Sequence, residues 1–200
     1  MRILELSAAL LVTLACMTAN AAPILQLGIT NGSYDTVNAD VITTGNTFTL
    51  NAFGKTSGGK AASFGTNYYV SIAVFAAEGL NPPNFGSFSF GGTTYTLGNM
   101  VFGNLPIETS LGHDGGDLSP HDVYDTWYTQ QVFQFSNSNK TSGVNVENTP
   151  GFNPLANAGT DYFYKSFNVD TQDLFSGYNL HFDLFSTELK KGDLKISSHA

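Results

Sequence analysis

From residue 24 to residue 200 the apolar positions alternate with polar ones, and no stretch repeats at the helical period of 3.6 residues. Short runs rich in β-branched and aromatic residues recur between clusters of Asn, Gly, Ser and Thr. "ILQLGIT" (24–30), "NTFTLNAF" (46–53), "NYYVSIAVF" (67–75), "QQVFQF" (130–135), "YFYKSFNV" (162–169) and "YNLHFDLF" (178–185) each carry the two-residue period of a strand. In "SFSFGGTTYTL" (87–97) two such runs flank Gly91-Gly92, and glycine's access to positive φ fits the tight two-residue hairpin turn. "TQDLFSG" (171–177) reads as one helical turn before the last strand, and the Asn-rich stretch 136–161 as a surface excursion between strands. Eight or more strands with little helix predict an all-β fold, an antiparallel β-sandwich of jelly-roll-like form.

The amino terminus departs from this pattern. Arg2 supplies a small positive region, "LSAALLVTLACM" (6–17) an apolar run, and Ala19 and Ala21 the small residues that precede a signal-peptidase cut. The run is shorter than the roughly 20 apolar residues needed to cross a bilayer. Residues 1–21 therefore read as a signal peptide and residues 22–200 as a single β-sandwich domain, exported to the cell surface or its surroundings. The single cysteine, Cys16, falls inside the signal. "TLAC" hints at lipid attachment, but Thr13 stands where such signals carry Leu. Without Cys16 the domain has no thiol for disulfide, nucleophile or metal.

Composition narrows the partners. The chain holds eight Lys and Arg and sixteen Asp and Glu, for a net charge of −8. Its single arginine is Arg2, so the domain lacks the bidentate fork used on phosphates and guanines. That speaks against nucleic acid and against membrane contact by the domain itself. Sixteen Phe and nine Tyr supply the apolar area that a two-layer core needs.

Several segments resemble the choice-of-anchor N proteins, secreted bacterial proteins many of which end in a PEP-CTERM sorting signal. These are "LQLGITNGSYD" (25–35), "FTLNAF" (48–53), "YYVSIAVF" (68–75), "GSFSFGGTTYTL" (86–97) and, most distinctively, "FYKSFNVDTQDLFSGYNLHFDLFST" (163–187). The resemblance implies a non-enzymatic cell-surface or extracellular-matrix protein with no catalytic residues to transfer. Here the sequence closes on "LKKGDLKISSHA", without the Pro-Glu-Pro motif, apolar helix and basic cluster of such a signal. The expectation is either a released protein or a chain that continues beyond Ala200, and anchoring is carried over onto no residue.

Chemistry concentrates in "LGHDGGDLSPHDVYDTWY" (111–128). Calcium takes six to eight oxygens in flexible geometry, and Asp114, Asp117, Asp122 and Asp125 would suit it around Gly115-Gly116. The EF-hand spacing is absent, however, and His113 and His121 fit no compact zinc motif. A solvated turn ended by Pro120 explains the stretch without an ion. No cofactor is implied beyond calcium as the one candidate.

Enzymatic readings find little support. There is no G-x-S-x-G elbow, and no pair among the acids is singled out for glycoside hydrolysis. Gly54-Lys55-Thr56 copies the end of a phosphate loop, but Thr49 occupies the place of its first glycine. His181 alternates with Leu180 and Phe182 and is expected on the polar side of its strand. Extracellular polysaccharide is the partner to weigh. Trp127, Tyr124 and Tyr128, with Tyr162 and Tyr164, could form the aromatic platform of a carbohydrate-binding module. Three readings stay open: a structural surface protein, a carbohydrate-binding β-sandwich module, and a calcium-stabilised adhesive domain.

Overall fold

The computed structural model describes residues 25–37, 40–58, 61–76, 84–103 and 125–186. The proposed signal peptide, Tyr124, and Asp114, Asp117 and Asp122 lie outside the described residues. Within them the fold is all-β and every strand pairing is antiparallel.

The first sheet runs in the order β1 (Leu25–Ile29), β4 (Thr47–Lys55), β11 (Tyr162–Asp170), β6 (Phe88–Phe90), β7 (Thr93–Tyr95). β10 (Lys140–Thr141) pairs with the start of β11. The second sheet runs β12 (Tyr178–Phe185), β5 (Tyr68–Ala76), β9 (Thr126–Phe133), β8 (Val101–Gly103). β2 (Ser33–Asp35) and β3 (Asp40–Ile42) form a small hairpin of their own. The long strands alternate, so one row of each sheet is directed inward. Leu25, Leu27 and Ile29 of β1 lie opposite Gly54, Ala52 and Leu50 of β4, and Leu180, Phe182 and Leu184 of β12 opposite Val74, Ile72 and Val70 of β5.

Aromatic rings join the two layers. Phe182 of the second sheet sits between Phe48, at 6.2 Å and edge-on, and Phe90, at 5.8 Å and stacked. Phe133 meets Phe167 edge-on at 5.4 Å. One cluster of buried residues draws on both sheets, which is the two-layer core that the aromatic content predicts.

The hairpin at Gly91-Gly92 forms as expected, with φ of 58° and 87° joining β6 to β7. Two expectations need correction. Residues 171–177 form turns and a single bridge between Leu174 and Gly86, not a helical turn. The Asn-rich 136–161 stretch is more than an excursion. It contributes β10 and lays Val144, Val146 and Phe152 over the outer face of the first sheet, where Phe152 meets Phe53 at 5.9 Å. β1 is therefore buried on both faces, and its Gln26 side chain is covered.

Candidate functional site

The turn before β4 and the corner between β11 and β12 meet at one end of the sandwich. In the first, Thr43 Oγ1 accepts the N–H of Gly45 at 3.2 Å and holds residues 43–46 as a turn. In the second, the N–H of Gln172 donates to Asp170 Oδ1 at 2.9 Å and the N–H of Leu174 to the Thr171 carbonyl at 3.0 Å. Pairing of β4 with β11 ends at Thr47 opposite Asp170 and brings the two turns together. The N–H of Thr171 then donates to the Asn46 carbonyl at 2.7 Å, closing the gap between them.

Between these turns lies a cleft of about 400 Å³, within the ordinary range for small-ligand sites. Its floor is apolar, built by Ile29, Phe48, Leu180 and Phe182 at the edge of the core. Its rim is polar: Thr44, Asn46, Ser176 and Asn179 are exposed, and Tyr178 is half-buried. Among the described residues, no hydrogen bond engages the Asn46 and Asn179 amides or the Thr44, Ser176 and Tyr178 side-chain hydroxyls. Phe175 stands at the margin with 52% of its surface exposed, next to the half-buried Leu174. Among the described residues no acidic or basic side chain lines the cleft.

Those residues singled out from sequence that lie within the described part are not gathered into one surface. Trp127 and Tyr128 are neighbours on β9 and so project to opposite faces. Trp127 is half-buried against Phe102, with ring centroids 5.3 Å apart. Tyr128 lies opposite Ala73 and Val101 on the outer face. Tyr162 is only 3% exposed, so its ring offers no stacking face. Burial raises its pKa above the ordinary tyrosine value, the hydrogen bond with Gln26 lowers it, and the nearby Asp161 charge adds to the rise. Tyr164 shares that strand face and packs against the core cluster. Asp125 is exposed just ahead of β9. Among the described residues no three His, Cys, Asp or Glu side chains come together as a metal site.

His181 lies on the sheet face away from Leu180 and Phe182, as expected, but its side chain is only 14% exposed there, and its Nε2 hydrogen-bonds Asp183 Oδ1 at 3.1 Å. Ser71 lies directly across from Asp183 on β5, which places a Ser, a His and an Asp on one sheet face. The order is wrong for acyl transfer, where histidine stands between the hydroxyl and the carboxylate. The Ser71 hydroxyl has no hydrogen-bond partner among the described residues.

The cleft residues escaped the sequence reading because they come from two turns far apart in the chain. Phe175 was their one signal, an aromatic residue in the turn "DLFSG". No family model, curated protein or solved structure matches this chain.

Proposed function

We propose that this is an exported, non-enzymatic cell-surface or extracellular-matrix protein that associates with polysaccharide, and that the cleft beside Phe175 is its glycan site. The observation that carries this reading is the cleft's lining, where, among the described residues, unengaged amides and hydroxyls ring an apolar floor and no charged side chain intervenes. A neutral sugar needs that combination. Its hydroxyls both donate and accept, as amides and hydroxyls do, and its C–H faces lie against aromatic rings. The net charge of −8 disfavours acidic polymers over neutral ones. The signal-like amino terminus and the resemblance to choice-of-anchor proteins support the same setting.

Co-sedimentation with insoluble neutral glucan, mannan and chitin, alongside an acidic polysaccharide, tests the reading. The protein is expected in the pellet with at least one neutral polymer and not with the acidic one. Replacing Asn46 by Ala and Tyr178 by Phe, which keeps the ring packed against the core, is expected to return it to the supernatant with little change in melting temperature. Retention only on the acidic polymer, or retention indifferent to the double substitution, would overturn it.

A further inference from the structure

We propose that the glycan site does not end at Phe175 but continues across it into a second subsite, so that the ligand is an extended, unbranched chain. This rests on the glycan reading of the first cleft. A second depression of about 640 Å³ opens on the other side of the same corner. Asn84, Ser87, Thr96, Gly98, Gln172 and Asp173 line it. Leu174 and Phe175 line both depressions and form the ridge between them.

The ridge is fixed from both sides. The N–H of Phe175 donates to the Phe85 carbonyl at 2.9 Å and the N–H of Ser87 to the Asp173 carbonyl at 3.0 Å. On the first-cleft side the bond from Thr171 to Asn46 holds the other end of the corner. The Phe175 ring lies over Gly86, whose φ is +84°. A Cβ placed there would meet two carbons of the ring at 3.0 and 3.1 Å. The ring is thus seated on backbone while half of it faces solvent, a platform ordered before any ligand arrives. A sugar unit over this ring would direct its neighbours into the two polar depressions. Asp173, the one charged side chain along the track among the described residues, can only accept hydrogen bonds, which suits sugar hydroxyls and repels acidic units.

The two subsites predict affinity that grows with chain length. Titration calorimetry with unbranched glucan and mannan oligosaccharides of two to eight units reads this directly. In the series that binds, Kd is expected to fall at least about tenfold from disaccharide to hexasaccharide. Gly98→Phe plugs the second depression. The position has no positive φ, and only Thr96 Oγ1, at 3.6 Å, lies within 4 Å of the added Cβ, so the substitution fits the backbone. It is expected to abolish the gain with length while leaving disaccharide affinity within about twofold. Phe175→Ala is expected to weaken both, and longer chains more. Affinity independent of length, with Gly98→Phe silent, would overturn the two-subsite track while leaving the first cleft as a site for short sugars. Failure of every neutral chain to bind the folded protein would overturn the glycan reading itself and the track with it.

Discussion

The side-chain carbonyl of Gln26 accepts the N–H of Val146 at 3.0 Å, across 120 positions of chain. The same side chain donates from Nε2 to the Val144 carbonyl at 3.0 Å. One fully buried amide thus completes the backbone hydrogen bonding of the segment laid over the first sheet. Removing it leaves a donor and an acceptor without their partner under that cover, at a cost of about 2–4 kcal/mol. Gln26→Ala is expected to lower the urea midpoint accordingly. Gln26→Leu restores volume but not the bonds, and is expected to recover less than half of the loss. Full recovery with Leu would show that packing alone holds the segment.

Two glycines with positive φ should respond differently to substitution. Gly91 has φ 58° in the hairpin turn and only Phe167 near its Cβ direction, at 3.5 Å. Asparagine tolerates that conformation, so Gly91→Asn is expected to cost under about 1 kcal/mol. At Gly86 an added Cβ would lie 2.2 Å from the Asp173 carbonyl. Backbone has to move there, so Gly86→Ala is expected to cost more than about 2 kcal/mol. It should also displace Phe175 and weaken glycan binding. Equal melting temperatures for the two variants would contradict this difference.

Alternation made the long strands legible. "YNLHFDLF" forms a strand with its predicted bounds, and β11 extends the predicted 162–169 by one residue. The double burial of β1 was not legible, because the residues covering it, Val144, Val146 and Phe152, are scattered singly among Asn, Gly and Pro with no period to mark them. The 171–177 corner was misread for a related reason. Its bridge partner, Gly86, comes from a different part of the chain, and local propensity carries no trace of that pairing. The site followed the same logic. Trp127, Tyr128, Tyr162 and Tyr164 stood out as aromatic residues in strands, where alternation sends half of them inward. The cleft is made instead by two turns that only the register of β4 against β11 brings together.

The buried tyrosines set a limit at high pH. Tyr95 and Tyr162 both have pKa values raised above 10.0, chiefly because burial disfavours the phenolate. The unfolded chain therefore loses these protons first as pH rises. Their contribution to stability is fully present below about pH 10 and declines as pH climbs from there through the folded-state values. Melting temperature followed from pH 8 to pH 11.5 is expected to fall more steeply for the native protein than for Tyr95→Phe or Tyr162→Phe, the phenylalanine variants having nothing to ionise at those positions. Parallel curves above pH 10 would show that neither phenol is held in its neutral form by the fold.

Trp127 separates the cleft from the strand-borne aromatic platform. It is the chain's single tryptophan, rests half-buried against Phe102, and lines neither depression beside Phe175. Glycan bound at the cleft should leave the tryptophan emission maximum unchanged at saturation, even as calorimetry records binding. Trp127→Phe keeps an aromatic ring against Phe102 and is expected to hold glycan affinity within about twofold, while Tyr178→Ala weakens it at least about tenfold. A saturable shift of emission, together with loss of affinity in Trp127→Phe, would move the glycan onto β9 and leave the Phe175 clefts without a ligand.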